Sequence, residues 1–159
     1  MPVALALIIG GIVILAVDRR EGSATVREVK DLTPLTAAKL GLCQMVALFP
    51  GTSRSGATIV GGVLFGLSRK AATEFSFFLA IPTLLGATAY KLIESWHLFT
   101  AATFPMLLLS SLGAFMTALL AVRGFIRFIA NHSFAAFAWY RIVFGAIVLV
   151  TAYYGYWGR

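Results

Sequence analysis

Charge is what this chain has least of. Asp, Glu, Lys and Arg make up 12% of its 159 residues, about half the share of an ordinary soluble domain. Six residues are acidic and two are histidines. A metal centre draws on several His, Cys, Asp or Glu side chains at ligand spacing, and no stretch of the sequence offers such a cluster. The single cysteine, Cys43, excludes an intrachain disulfide and any multi-cysteine metal site. It lies in an apolar run and reads as a small core residue. No basic region leads the first apolar run, and no small-residue cleavage site precedes the first charges. No cleavable signal is therefore expected.

What is present is apolar. Hydrophobic residues make up 60% of the chain and mean hydropathy is +0.91, against about 45–50% apolar in soluble domains. The expected class is all-α: a polytopic membrane helix bundle forming one domain over residues 1–159. The net charge of +7 does not point to nucleic acid. The basic residues are scattered between apolar runs and make no basic face with interleaved aromatics. Retention of Lys and Arg on the cytoplasmic side of a membrane accounts for them better.

Residues 2–17 form a first apolar helix, slightly short for a full span. Residues 18–39 are polar, with Arg19, Arg20, Arg27, Lys30 and Lys39 against Asp18, Glu21, Glu28 and Asp31, and read as a cytoplasmic loop. Thr33-Pro34 has the pattern of an N-cap followed by a first-turn proline. Residues 71–93 form a span, with a kink expected near Pro82 and Gly86. Residues 94–103 lack Lys and Arg and are placed outside. A return span over 104–122 ends at Arg123 and Arg127. After a turn at Asn131-His132-Ser133, a last span runs over 134–157. Tyr153, Tyr154, Tyr156 and Trp157 would form an aromatic belt at its outer end.

Between the polar loop and the 71–93 span lie two apolar runs, 40–49 and 59–67. Each is about half the roughly 20 residues a spanning helix needs. They read as a re-entrant helix-loop-helix hairpin over 36–67, with Pro50-Gly51-Thr52-Ser53-Arg54-Ser55-Gly56-Ala57-Thr58 at its tip. Re-entry also puts the basic segments near 19–39, 69–70 and 123–127 on one side. Non-helical backbone at that depth must be surrounded by protein or line a wet cavity. The segment also opens a helix, whose N-terminus favours anions. The small residues Gly51, Ser53, Ser55 and Gly56 leave backbone N–H groups accessible, and Arg54 adds a planar fork of donors suited to phosphate. The chemistry is that of a buried oxyanion site.

Arg54 is the leading candidate, its alternative a structural arginine bonding loop carbonyls. Ser53, Ser55 and Thr58 either donate to phosphate oxygens or cap the helix. Gln44 requires a partner in lipid, expected at the tip or on another helix. Glu74 either pairs with Arg69 or Lys70 or joins the polar site. Arg141, two turns inside the last helix, is expected to snorkel or to pair within the bundle. Glu94, His97 and His132 are expected at interfaces and turns.

Gln44-Met-Val-Ala-Leu-Phe-Pro-Gly-Thr-Ser-Arg-Ser-Gly-Ala-Thr58 resembles the second signature motif of the undecaprenyl-diphosphate phosphatase, or bacitracin-resistance, family. The segments Gly61-Gly62, Gly66-Leu-Ser-Arg69, Ala72-Thr-Glu-Phe-Ser-Phe-Phe-Leu-Ala-Ile-Pro82 and Phe137-Ala-Trp-Tyr-Arg141 are also similar to it. The resemblance covers essentially the whole chain. It implies an integral enzyme of the bacterial plasma (inner) membrane that hydrolyses undecaprenyl diphosphate, recycling the lipid carrier for cell-wall synthesis. It further implies two inverted repeats with facing hairpins, a site opening to the outer or periplasmic side, and dependence on a divalent cation such as Mg or Ca. The implied catalytic residues are Arg54, Ser53 and Ser55. Gly51, Thr52, Gly56, Thr58, Gln44 and Glu74 are implied in substrate binding. One departure is large. The family's first motif carries two glutamates, a serine-rich turn and a histidine; here Gln44 and Leu48 stand at the corresponding repeat positions. The chain therefore resembles the C-terminal portion of a family member, as a fragment or a natural truncation, and little phosphatase activity is expected from it alone. A homodimer would add a second hairpin without those glutamates. A transporter or binding protein for a phosphate-bearing lipid or anion is the competing class, since transporters also place anion sites at broken helices.

Overall fold

A computed structural model describes residues 2–19, 24–100 and 103–155. Arg20, Glu21, Tyr156 and Trp157 lie outside the described residues. The described chain is helical: α1 (Pro2–Asp18), α2 (Pro34–Cys43), α3 (Arg54–Leu64), α4 (Arg69–Glu94), α5 (Phe104–Asn131) and α6 (Ala135–Tyr153). Tight 3-10 turns add Val29–Asp31, Gln44–Leu48 at the end of α2, and Trp96–Leu98. The helices α4, α5 and α6 are long and apolar enough to cross a membrane; α1 and the α2 arm are shorter apolar helices.

Local chemistry sets the helix starts. Thr33 caps α2 by accepting from Thr36 N–H at 3.2 Å, with Pro34 in the first turn. Ser68 does the same for α4, accepting from Ala71 N–H at 3.2 Å. Its hydroxyl also donates to Arg27 O at 3.1 Å, which ties the polar loop to the return of the hairpin.

Hairpin packing depends on two adjacent glycines that face different neighbours. A Cβ on Gly61 would stand 2.6 Å from Cys43 Sγ on α2, and one on Gly62 2.7 Å from Ala72 Cβ on α4. Within a membrane, helices associate through close packing of small residues rather than hydrophobic exclusion from water. Around this contact Leu40, Val63, Leu67, Ala71 and Ala72 form the buried core, joined by Val17 of α1.

Helices α1 and α6 run antiparallel. At one end, Asp18 Oδ1 is ion-paired with Arg69 Nε at 2.7 Å and accepts from Phe134 N–H at 3.2 Å. One carboxylate thus joins the end of α1 to the starts of α4 and α6. Further along, Gly145 of α6 packs on Ala4 and Ile8 of α1. The hairpin tip reaches the same level, because Gly51 sits against Val3 and Ala6. Residues 146–153 carry α6 about 12 Å further at 1.5 Å per residue. The hairpin therefore turns back well before the end of its neighbouring helix.

The structure lengthens α5 slightly. Beyond the apolar stretch 104–122 the helix continues through Arg123 and Arg127, where it was expected to end, to Asn131. The extra turns are amphipathic: Arg123 and Arg127 are exposed, while Ile129 is buried and Phe125 packs edge-on to Phe77 and Phe137. Pro82 lies inside an uninterrupted α4. Lys39 belongs to α2, with its ammonium 5.6 Å from the centre of the Phe65 ring.

Candidate functional site

The tip is built by Gly51, Ser53 and the first turn of α3. Gly51 adopts φ +89°, and a Cβ there would come within 2.8 Å of Val3 Cα. Backbone conformation and space both require glycine. Ser53 caps α3 by accepting from Gly56 N–H at 3.2 Å, and its Oγ lies 3.2 Å from Ser55 Oγ. The N–H groups of Arg54 and Ser55 are the donors a helix's first turn leaves open, and neither has a partner among the described residues.

Arg54 points across to α4. Its Nη1 donates to Thr83 Oγ1 at 2.6 Å, and the Thr83 hydroxyl lies 3.1 and 3.0 Å from Leu79 O and Ala80 O. Arg54 lines neither cavity at the tip. One of its five donors is committed, which orients the guanidinium and leaves the others for an oxyanion.

The cation that faces the serines is Arg141. It lies across Gly10 of α1, and its Nη2 is 3.4 Å from Gly51 O. Two cavities meet there, both lined by Ser53, Gly56 and Arg141. One, of about 250 Å³, adds Ser55 and Tyr140 and runs to Asp18. The other, of about 470 Å³, is apolar, with Val13, Val46, Phe49 and Val60 in its walls and Thr52 at the tip. An arginine within an apolar helix is a visible signal, but its apposition to a tip 90 residues away is not legible in sequence.

Three residues considered for the site stand away from both cavities. Thr58 is 1% exposed, and its hydroxyl lies 3.2 Å from Arg54 O, 3.0 Å from Ser55 O and 2.7 Å from Ser76 Oγ. It ties α3 to α4 and turns no hydroxyl to either cavity. Glu74 lines neither cavity and pairs with Lys70 at 3.9 Å. Gln44 is half-buried, lines neither cavity and makes no side-chain hydrogen bond among the described residues. The contact expected for it is not made among the described residues; α2 tightens into a 3-10 turn from this residue onward.

The donor set does not fit a divalent cation. Among the described residues no group of three or more His, Cys, Asp or Glu side chains could hold one. Asp18 is committed to Arg69, Glu74 faces Lys70 and Glu94 pairs with Lys91. Outside the spans, the exposed Glu28 and Lys30 pair at 2.7 Å, which lowers the Glu28 carboxyl and raises the Lys30 ammonium from their ordinary values. His97 lies in the Trp96–Leu98 turn, and His132 stacks on Phe128 at the end of α5. Neither lines the cavities beside the serines. The tip can therefore bind an anion and stabilise its charge, but it brings no free general base.

A broken helix whose first turn, two serines and two arginines lodge among apolar helices defines a membrane protein with a polar break inside its helical bundle. The family model described as "Bacitracin resistance protein BacA" matches residues 1–147, and the chain belongs to that family. It is 56% identical over 154 residues to an undecaprenyl-diphosphatase of Laribacter hongkongensis, covering 97% of this chain and 56% of that protein. To undecaprenyl-diphosphatase 2 of Rhodospirillum rubrum it is 55% identical over 155 residues, with coverage of 98% and 57%. To that of a Janthinobacterium species it is 53% identical over 160 residues, with coverage of 98% and 58%. The chain thus spans a little over half the length of these relatives.

Proposed function

We propose that this chain carries the phosphate-binding tip of a membrane hydrolase that converts undecaprenyl diphosphate to undecaprenyl phosphate and phosphate. The observation that carries the reading is the convergence of Ser53, Ser55 and Arg141 on one cavity beneath the start of α3, with Arg54 at the same turn held by Thr83. The names of the relatives supply the substrate. In this reading Arg54, Arg141 and the open N–H groups bind the diphosphate and stabilise charge on the transferring phosphoryl group. Ser53 and Ser55 donate to its oxygens. Gly51 and Gly56 let the backbone approach, and Thr52 borders the apolar cavity that takes the first isoprene units. The setting is a multi-pass protein of the bacterial plasma membrane. The basic end would face the cytoplasm, with the tip reached from the other side. Lipid-carrier recycling would link it to peptidoglycan synthesis and bacitracin resistance.

The test is phosphate release from undecaprenyl diphosphate by the 159-residue chain and by a full-length relative, each also with the tip arginine replaced, Arg54→Ala here. Release by the relative alone, with diphosphate binding by this chain that Arg54→Ala weakens at least tenfold, supports the reading. Robust release by this chain, abolished by Arg54→Ala, would overturn the view that the tip lacks its own activating group. A hairpin ending within the bundle also suits an anion transporter. Movement of the lipid across a sealed vesicle without phosphate release would select that reading instead.

A further inference from the structure

Away from the tip, at the opposite end of the bundle, Lys70 of α4 and Arg123 and Arg127 of α5 border one open depression, floored by Gly124 and Ala130 and walled by Ile126. Arg123 and Arg127 are one turn apart and share a face of α5. Both are exposed, and their guanidinium groups make no ion pair or hydrogen bond among the described residues. Of the other cations described at this end, Arg69 pairs with Asp18, Lys30 with Glu28, and Lys39 lies against Phe65, while Arg19 and Arg27 do not line the depression. Two carboxylates lie near Lys70: Glu74 at 3.9 Å, and Glu28, whose charge interacts with Lys70 but whose ion pair is with Lys30; neither lines the depression. A Cβ on Gly124 would meet nothing within 4 Å, so the floor between the arginines is open. Towards the other end, Leu120, Met116 and Leu112 of α5 are exposed. The apolar stretch 104–122 measures about 28 Å at 1.5 Å per residue, close to the hydrocarbon thickness of a bilayer. The arginine pair therefore lies at headgroup level, directly below a surface suited to acyl chains.

We propose that Lys70, Arg123 and Arg127 form a binding site for the headgroup of an anionic phospholipid, with its acyl chains along the exposed face of α5. Three cations around a cleft between helices at the basic membrane boundary are the arrangement that takes lipid phosphates. A dispersed topogenic charge needs no common cleft. A free phosphate would gain nothing from the apolar wall.

The site is tested by native mass spectrometry of the full chain in detergent, titrated with phosphatidylglycerol, phosphatidylcholine or inorganic phosphate. Phosphatidylglycerol adducts are expected at a concentration about tenfold lower than phosphatidylcholine adducts. Arg123→Gln/Arg127→Gln removes that preference; Arg123→Lys/Arg127→Lys retains most of it and shows that the substituted helix still folds. Lys91→Gln, at the other end of α4, leaves the preference unchanged. Equal binding of the two lipids by the unaltered chain overturns the proposal. So does a preference that survives the double glutamine change, or displacement of phosphatidylglycerol by equimolar inorganic phosphate.

Discussion

Arg54 Nη1 donates to Thr83 Oγ1 at 2.6 Å, joining the first residue of α3 to the middle of α4. A hydrogen bond to a charged group contributes about 1.5–3 kcal/mol, and this one fixes the guanidinium before any anion arrives. Thr83→Val should weaken diphosphate binding about fivefold or more, while Thr83→Ser should restore it. Calorimetric titration of the purified chain reads both. Equal affinity in Thr83→Val and the unaltered protein would show that Arg54 orients itself without α4.

Gly51→Ala should destabilise the tip. It combines a left-handed backbone with a Cβ placed 2.8 Å from Val3 Cα. The conformational part alone costs about 1–2 kcal/mol, and the contact with backbone adds to it. A melting temperature in detergent within a degree of the unaltered chain would contradict the geometry.

The paired glycines of α3 predict an asymmetry with α4. Gly62→Val brings bulk against Ala72, whose Cβ would already be 2.7 Å from a Cβ at that position. Overpacking of this kind costs about 1–3 kcal/mol. Gly86→Ala, where a Cβ meets nothing within 4 Å, should be neutral or stabilising by up to about 1 kcal/mol. Thermal unfolding of both variants reads the difference, and a loss as large at Gly86 as at Gly62 would refute it.

The Asp18–Arg69 pair is mostly buried, with side-chain exposures of 11% and 19%. Removing one member of such a pair leaves an uncompensated charge and is worse than replacing both. Asp18→Asn and Arg69→Met should each destabilise by about 2–4 kcal/mol, and the double variant by less than the sum. Because Asp18 also accepts from Phe134 N–H, the double variant should not recover fully. Strict additivity in chemical denaturation would show that the two side chains do not interact.

Much of this was legible in order along the chain. Runs 40–49 and 59–67, each too short to span, specified a hairpin, because apolar length is read directly against bilayer thickness. Thr33 marked a helix start and Ser53 was one of the residues weighed as a cap, because a cap acts on N–H groups only two or three residues away; the same role of Ser68 at the start of α4 emerged only from the structure. The end of α5 was placed at Arg123 and Arg127, about one turn short of Asn131, because basic residues mark the close of a hydropathy run while an amphipathic helix continues past them.

A helical membrane protein, its family and a small-residue tip carrying an arginine are readable along the chain, since these rest on local composition and spacing. Which arginine lines the cavities follows from how the helices pack. Arg54 turns to Thr83 on α4, and Arg141 meets the serines although it lies far along the chain. Thr58 likewise became a tie between helices. A side chain's neighbours across a bundle are set by the rotation and depth of packed helices, and no nearby stretch of sequence encodes either.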